Sequence, residues 1–359
     1  MKLVSVIIPV YNTERYLKKC LDSVLEQDYP QLEVVTIDDC SMDTSKNILV
    51  NYEKRWACRG GQQAGNKRVI NVFLSRNQGV DNARIEGLKR ITGDYVIFVD
   101  SDDYLPEGAI SKLVDELERT GADIVQGSYR RVLGNNGFIK KDFVYSYVEI
   151  EQPELFDKYF VSFFGKPLLR VGLWGKIYRR ELFQKSHIEP SGYRFGEDAI
   201  MNMKIFPCVG KYAIVPSIIY CYRYGGMTNK YKPYLYDELK HQYQYRLQVL
   251  RDYNYETGIS PLHYEMANNF IGILKIMLKA GVNCKDVHAF YKQELESGEL
   301  RQFVVERHEC KNILYNRLYN SVINGMVDET FVEEIKKNYQ PALRDRLVTI
   351  LYKIFGRFL

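Results

Sequence analysis

The chemistry of this chain centres on three aspartates that occur within four positions. Residues 95–99 form a β-branched and aromatic run that predicts a buried strand, and directly after it stand Asp100, Asp102 and Asp103. Carboxylates this close repel one another unless a cation or bound protons offset their charge. The cluster therefore indicates a divalent metal with a phosphate-bearing ligand. The alternative is structural, because aspartate and serine are also common in turns and at helix starts.

Polar residues follow two further strand-like runs. Tyr11 and Asn12 come after the apolar residues 4–10, and Asp38 and Asp39 come after residues 32–37. In an open parallel sheet the carboxyl ends of neighbouring strands share one edge, and ligands bind there. A nucleoside diphosphate suits such an edge, because its base needs hydrogen-bond partners and its pyrophosphate needs a divalent ion, here Mn²⁺ or Mg²⁺.

The elements that must position these residues alternate between strand and helix over the first 130 residues. This alternation predicts an α/β fold with a doubly wound, mostly parallel sheet of the Rossmann-like type. Beyond residue 230 strand-like runs are few, which predicts a C-terminal helical region. Strands are predicted at 4–10, 32–37, 69–74, 95–99 and 123–131, and helices at 13–27, 45–52, 82–90 and 105–119.

The composition argues against several classes of protein. The chain has 359 residues, 46% of them hydrophobic, which is enough for two domains or for one large domain with an appendage. The net charge of +5 is mild, and without an arginine-rich arm it does not indicate a nucleic-acid partner. Seven cysteines without C-x-x-C pairs argue against a disulfide framework or a structural zinc site, and they fit a reducing compartment.

The sequence predicts a cytoplasmic protein whose membrane contact, if it has any, is peripheral. We find no apolar region followed by a small-residue cleavage site, and no stretch that approaches about 18 uninterrupted apolar residues. Near the end of the chain, an apolar stripe that includes Leu343 and Leu351 runs beside a basic stripe that includes Arg346 and Arg357. Such a helix would lie on the inner face of a membrane or dock on its own domain, and the sequence leaves both interpretations open.

Four ordered blocks of sequence, which cover roughly the first third of the chain, carry a family resemblance. They are VSVIIPVYN at 4–12, IDDCSMDTS at 37–45, NQG at 77–79 followed by Ala83, Arg84 and Gly87, and GDYVIFVDSDD at 93–103. Together they resemble the inverting glycosyltransferases of family 2, which have the GT-A fold.

The resemblance implies a domain organisation. The catalytic domain would comprise residues 1–230, with a nucleotide-sugar-binding half at 1–130 and an acceptor half at 131–230. The helical region would comprise residues 231–359 and would include the basic amphipathic end.

The resemblance also implies roles for residues of the donor site. Asp39 would hydrogen-bond the base, typically uracil, and Arg84 would orient the diphosphate or the metal-site carboxylates. Asp102 would ligate Mn²⁺ or Mg²⁺, whereas Asp103 would support the loop. The other expected contacts are Pro9, Tyr11 and Glu14 around the base and ribose, and Asp100 and Ser101 beside the ribose or sugar.

The second block departs from the family pattern. Cys40 and Met42 stand where the family usually has glycine and threonine. If glycine serves there for a positive φ, Cys40 must strain or reshape the turn, and the base selectivity is then in question.

The expected acceptor side lies further along the chain. The segment Gly196-Glu197-Asp198 is similar to the family segment whose aspartate takes the proton of the acceptor hydroxyl, which makes Asp198 the expected catalytic base. The alternative is a helix N-terminus at which Glu197 and Asp198 stabilise the helix dipole. Trp174 and Lys176 resemble acceptor-side residues of the family, although Trp174 is as well suited to core packing as to stacking on a sugar.

These expectations describe a metal-dependent inverting glycosyltransferase of the hexosyltransferase class. It would move a single sugar from a nucleotide-diphosphate sugar, expected to be a UDP-sugar, to a hydroxyl of a saccharide or lipid-linked saccharide in surface polysaccharide biosynthesis. One alternative is a nucleotidyltransferase, but residues 11–14 are neither glycine-rich nor basic as its phosphate loop would be. The other is a non-catalytic sugar-nucleotide-binding or assembly subunit.

Overall fold

The structure, a computed structural model, divides into two compact units. One comprises Met1–Phe160 and Arg170–Gly226, and the other comprises Val161–Leu169 and Met227–Leu359. The segment Val161–Leu169 thus groups with the C-terminal unit, although the sequence places the expected domain boundary at residue 230. The structure describes residues 1–57, 66–133, 139–223, 231–306 and 312–338, with only the backbone at 139 and 140.

The first unit contains a parallel half-sheet with the strand order β3-β2-β1-β4. All residues of β1, β2 and β4 are buried, which explains why β1 and β4 are largely apolar rather than alternating, whereas β2 also buries the polar residues Glu33 and Thr36. The strand order reverses between β1 and β4, and the predicted α/β fold is confirmed. The strands are β1 (Val4–Val10), β2 (Leu32–Asp38), β3 (Arg68–Phe73) and β4 (Tyr95–Phe98).

Four helices follow these strands, and one of them begins later than expected. The helix predicted from residue 105 begins at Ala109, because Gly108 has a left-handed φ of +67°, which a right-handed helix cannot contain. Further upstream, the Cys221 amide donates to the Tyr104 carbonyl at 2.9 Å and ties residue 104 to a later strand. The helices are α1 (Glu14–Leu25), α2 (Ser45–Ala57), α3 (Val80–Leu88) and α4 (Ala109–Thr120).

A second group of strands extends the sheet from β4. Strand β8 pairs antiparallel with both β4 and β5, and β9 runs parallel to β5. β6 forms an antiparallel pair with β5, and β7 forms one with β9. The elements are β5 (Ile124–Leu133), β6 (Ile139–Phe143), β7 (Val148–Glu151), β8 (Lys176–Arg179), α5 (Glu181–Lys185), α6 (Glu197–Ile205) and β9 (Lys211–Arg223).

The second unit is helical, as expected from the sequence. A buried ion pair joins its first two long helices, in which Arg246 contacts Glu265 at 2.6 Å and also donates to the Phe163 carbonyl at 3.0 Å. Among the described residues, no helix is long and apolar enough to cross a bilayer. The amphipathic segment 343–359 lies outside the described residues. The helices are α7 (Leu235–Asp252), α8 (Ile259–Lys279), α9 (Cys284–Glu296), α10 (Ile313–Asn324) and α11 (Phe331–Asn338).

Candidate active site

A crevice opens where β1 and β4 separate. Their pairing ends at Ile7 and Phe98, although β1 continues alongside β2 as far as Val10. Pro9, which has no amide hydrogen to donate, lies beyond the last β1–β4 pair. Tyr11 follows at the carboxyl end of β1 and is 43% exposed. This is the point in a doubly wound sheet at which ligands bind.

The loops after β1 and β2 are tied together by reciprocal hydrogen bonds. The Glu14 carboxylate accepts from the Thr44 amide at 2.8 Å, and the Asp43 carboxylate accepts from the Glu14 amide at 3.0 Å. The Asn12 side chain accepts from the Met42 amide at 2.7 Å. Glu14 therefore holds the rim of the crevice together, and its expected contact with a ribose stays a prediction.

Asp39 links β2 to the start of α3. Its two carboxylate oxygens accept from the amides of Gln78, at 2.7 Å, and of Gly79, at 2.8 Å. Burial raises the pKa of Asp39 in spite of these bonds. A carboxylate has about four acceptor sites, so these two bonds leave capacity for the expected contact with a base, which stays a prediction.

Cys40 adopts the backbone conformation that a glycine would favour at its position. Its φ is +62°, in the left-handed region, so the turn keeps a positive φ in spite of the departure from the family pattern. A residue with a Cβ atom is strained there by about 1 kcal/mol.

We expect Cys40→Gly to raise the free energy of unfolding by up to about 0.5 kcal/mol, because relief of strain outweighs the greater freedom of glycine in the unfolded chain. Urea denaturation would measure the change. Cys40→Ala keeps the strain and serves as the control, and an equal gain in that variant would contradict the argument.

The loop that carries the aspartates is anchored to the end of β9. Asp103 is buried and accepts from the Tyr220 hydroxyl at 2.9 Å and from the Arg223 amide at 2.7 Å. The Asp100 amide donates to the same Tyr220 hydroxyl at 3.1 Å. Ser101 is also buried, and its hydroxyl accepts from Thr13 at 3.1 Å. In this geometry Asp103 and Ser101 shape the loop, and the expected contact of Ser101 with a sugar stays a prediction.

The remaining two carboxylates suit a divalent cation that is bound jointly with a diphosphate. Burial, and then the charge of Asp100, raise the pKa of Asp102 to about 6, a repulsion that a cation would relieve. Within the described ranges, no group of three or more His, Cys, Asp or Glu side chains could hold a metal. Sites for Mg²⁺ commonly use one or two carboxylates together with substrate phosphates and water, so the assignment of Asp102 as a metal ligand stays a prediction.

Arg84 connects the aspartate loop to the expected acceptor side. Its guanidinium contacts Asp100 at 2.9 Å and Glu197 at 2.8 Å, and its side chain is only 5% exposed. Burial alone would lower the pKa of Arg84, but the charges of Asp100, Glu197 and then Asp198 outweigh this effect and raise it. Arg84 is therefore a buried cation shared between two carboxylates that lie 97 positions apart in sequence.

Asp198 lies in the first turn of α6, beside Gly172. One carboxylate oxygen accepts from the Ala199 amide at 2.8 Å. The other would lie 2.9 Å from a Cβ atom placed on Gly172, so a larger residue at that position would force the carboxylate to shift. Glu197 and Asp198 thus begin a helix, as the helix-dipole interpretation expects, and Glu197 also contacts Arg84. The role of Asp198 as the base stays a prediction.

Trp174 is partly buried and is packed among protein groups. The Arg170 guanidinium lies 3.4 Å from the centre of its ring, and the rings of Tyr220 and Tyr222 stack on it at 4.6 and 5.2 Å. The ring of Tyr129 meets it at 83° and 5.1 Å. This geometry favours the packing interpretation of Trp174 over stacking on a sugar face.

Lys176 braces the segment that faces Asp198. Its ammonium group donates to the carbonyls of Arg170 and Gly172, the latter at 2.6 Å, and the residue is buried. Burial, and then the charge of Arg170, hold its pKa well below the usual range. In this geometry Lys176 positions the segment 170–172, and a direct acceptor contact stays a prediction.

Three residues that the sequence did not single out take part in this site. Tyr220 and Arg223 hold the aspartate loop, and Arg170 covers Trp174. Gly175 has a positive φ of 68°, and a Cβ atom there would clash with the Arg170 guanidinium. No motif marks these residues, because their roles depend on β9 and β5 lying next to each other.

Comparisons with known proteins agree with the fold and identify the family. The family model described as Glycosyl transferase family 2 matches residues 5–196, more than half of the chain. Glycosyltransferase GlyA of Streptococcus pneumoniae is 30% identical over 224 residues, which are 61% of this chain and 30% of GlyA. Glycosyltransferase EpsJ of Bacillus subtilis is 29% identical over 256 residues, which are 70% of each chain. The chain thus covers less than a third of GlyA but most of EpsJ.

A crystal structure of residues 1–349 of TarS from Staphylococcus aureus, in complex with UDP, is similar to the whole chain. The TM-score is 0.62 at 21% identity, over 95% of this chain and 93% of that one. Similarity at this level of identity shows the fold alone, and the fold is the expected GT-A type with C-terminal helices. Together with the family match, these findings show that the chain belongs to glycosyltransferase family 2.

Proposed function

We propose that this glycosyltransferase is metal-dependent and inverting, and that it transfers a single sugar from a UDP-sugar to a hydroxyl of a saccharide or lipid-linked saccharide in surface polysaccharide biosynthesis. Related proteins support this. TarS is a poly(ribitol-phosphate) β-N-acetylglucosaminyltransferase, and it has been crystallised with UDP and with UDP-GlcNAc. A Bacillus spizizenii relative, 27% identical over 223 residues, is a poly(ribitol-phosphate) β-glucosyltransferase. A cytoplasmic location and a membrane contact through residues 343–359 stay predictions from the sequence.

The contact of Arg84 with both Asp100 and Glu197 carries the proposal. A buried cation that joins the aspartate loop to the start of α6 keeps the expected donor site and the expected base at a constant separation. Transfer between two bound substrates needs this constancy, because an error of about 1 Å in their alignment lowers the rate by about 100-fold.

In the proposed reaction, the acceptor hydroxyl oxygen forms a bond to the anomeric carbon on the face opposite the diphosphate. The bond from that carbon to the diphosphate oxygen breaks, and the diphosphate leaves with the electron pair. Asp198 takes the hydroxyl proton as the attack proceeds, so a base of ordinary strength within hydrogen-bond reach is sufficient. Displacement from the opposite face converts an α-linked donor into a β-linked product.

Asp102, with Asp100 beside it, would hold the divalent ion. When bound, such an ion supplies positive charge that stabilises the leaving diphosphate.

The first test is the thermal stabilisation of the protein by UDP, GDP, CMP and dTDP, each with and without Mn²⁺. We expect a shift with UDP that requires Mn²⁺ and that Asp102→Asn removes. Stabilisation by UDP and Mn²⁺ that Asp102→Asn leaves unchanged would contradict the metal assignment. Nucleotide binding without turnover over a broad panel of acceptors would instead favour a non-catalytic binding subunit.

The Mn²⁺-dependent stabilisation should also depend on pH. Because the pKa of Asp102 is raised to about 6, protons compete with Mn²⁺ for its carboxylate below that pH. We therefore expect the Mn²⁺ affinity measured at a fixed UDP concentration to fall by up to about tenfold for each pH unit below 6, and to change little above pH 7. An affinity that is flat between pH 5 and 7 would contradict this prediction.

A further inference from the structure

One face of the sheet near Asp198 carries an array of aromatic and basic side chains, which we call the acceptor-side face. Alternate residues of a strand point to the same side of a sheet, and the register places Phe143 of β6 and Tyr220 of β9 on either side of Tyr129 of β5. The contacts agree with the register, because the rings of Tyr129 and Phe143 stack at 4.7 Å with an interplanar angle of 2°.

The next register position on this face brings two cations together. Arg131 of β5 lies directly opposite Lys141 of β6, and both are exposed. The Arg131 guanidinium and the Lys141 ammonium each lie 4.9 Å from the centre of the Phe143 ring. Like charges at opposed positions of an antiparallel pair are destabilising. Contact with an aromatic ring attracts a cation but does not neutralise it.

At the neighbouring register position of the same two strands, a positive and a negative side chain lie opposite each other, and we call such a pair compensated. Arg130 lies opposite Asp142, and its Nε contacts the Asp142 carboxylate at 2.5 Å. Among the described residues, neither Arg131 nor Lys141 forms an ion pair with a carboxylate. Arg131 and Lys141, the uncompensated pair, face the side of the sheet that carries Tyr129. Arg130 and Asp142, the compensated pair, face the other side.

The uncompensated pair is connected to the expected base by a short series of contacts. The Arg131 guanidinium lies 5.9 Å from the ring centre of Tyr222, which stacks on Trp174. A Cβ atom placed on Gly172 would lie 3.5 Å from Trp174 Nε1 and 2.9 Å from the Asp198 carboxylate. Arg131 is therefore linked to Asp198 through Tyr222, Trp174 and Gly172, and Lys141 lies beside Arg131.

We propose that Arg131 and Lys141 form a subsite for an anionic group of the acceptor, so that this enzyme prefers a saccharide acceptor that carries phosphate or carboxylate groups. This inference rests on the proposed function, because it takes Asp198 as the point at which the acceptor reacts. Aromatic rings beside two uncompensated cations suit a chain that alternates sugar or polyol units with anions. Phosphodiesters and uronic acids share this chemistry, and the probes below distinguish them.

The test compares binding of three probes of matched length by calorimetry, in low and in physiological salt. They are a polyol-phosphate oligomer, an oligogalacturonate and a neutral maltooligosaccharide. The variants are Arg131→Gln, Lys141→Gln and both together. Arg130→Gln is the matched control, because it removes one positive charge from the same strand on the opposite face. For each variant, the UDP affinity shows whether the donor site is intact, and the thermal midpoint shows whether the protein is folded.

We expect the wild type to bind at least one anionic probe about tenfold more tightly than the neutral one. Each single variant should weaken that binding by about threefold to fivefold, and the double variant by about tenfold or more. Arg130→Gln should stay within about twofold of the wild type, and UDP affinity should not change. The preference should shrink in higher salt.

Two results would overturn the proposal. One is equal binding of anionic and neutral probes, or a preference that the double variant retains. The other is a parallel loss of UDP affinity in the folded variants, which would assign the cations to the donor diphosphate. The anionic subsite and the assignment of Asp198 as the base are tested separately. Asp198→Asn should leave probe binding unchanged, whether or not it lowers the rate of transfer.

Discussion

Asp198→Asn is expected to lower kcat by about 10³-fold while leaving the protein folded and its UDP affinity unchanged. General-base catalysis contributes about 10²–10⁴-fold, and asparagine has the same shape as aspartate but cannot take the hydroxyl proton. Its side-chain oxygen can still accept from the Ala199 amide, so the start of α6 should persist. Single-turnover transfer to a saccharide acceptor would measure the rate of the chemical step.

Glu197→Gln is the control for the neighbouring carboxylate. A glutamine oxygen can still accept from Arg84, so we expect transfer to fall far less than in Asp198→Asn. Near wild-type transfer by folded Asp198→Asn would show that another group takes the proton. A larger loss in Glu197→Gln than in Asp198→Asn would move the base to Glu197.

Arg84→Met should destabilise the protein by about 3 kcal/mol near pH 7.5, because it leaves the carboxylates of Asp100 and Glu197 without their shared cation. Transfer by the folded fraction should also fall, by about 100-fold, since the aspartate loop and the start of α6 lose their common anchor. Urea denaturation and single-turnover rates would measure the two effects. Arg84→Lys keeps the charge but has only one nitrogen atom to offer the two carboxylates, so its stability and its rate should lie between those of the wild type and Arg84→Met.

The stability lost in Arg84→Met should depend on pH. Burial raises the pKa of Glu197, and Arg84 opposes this effect, so the pKa should rise further in the variant. A carboxyl group whose pKa is higher in the folded than in the unfolded state destabilises the folded state at pH values above its unfolded-state pKa. This destabilisation disappears as the pH falls below the unfolded-state pKa. The difference in unfolding free energy between wild type and variant should therefore be smaller at pH 5 than at pH 7.5.

The exposed Arg119, which pairs with Glu116 on the surface of α4, provides the comparison for this pH dependence. Arg119→Met should leave the urea midpoint unchanged at both pH values, because exposed pairs contribute little. An equal loss in Arg84→Met at pH 5 and pH 7.5 would contradict the role given to Glu197.

Much of the fold could be predicted from local pattern. The strands at 4–10, 32–37, 69–74, 95–99 and 123–131 are each present within two residues at either end. Strands that are buried on both faces leave continuous apolar runs, and that signal requires no knowledge of their neighbours. The start of α4 was wrong by four residues, because Gly108 takes a left-handed conformation directly before Ala109.

The resemblance of short segments was enough to assign the family and to predict the parallel half-sheet, because each of these signals is encoded locally. The roles given to the carboxylates at 100, 102 and 198 stay predictions. Only the tertiary structure showed that Arg84 joins Asp100 to Glu197, that Trp174 lies against Arg170 and two tyrosines, and that Arg131 and Lys141 lie opposite each other with no carboxylate partner among the described residues. These features depend on which strands become neighbours and in what register. Strand order and register are set by the packing of the whole sheet, which no single segment specifies.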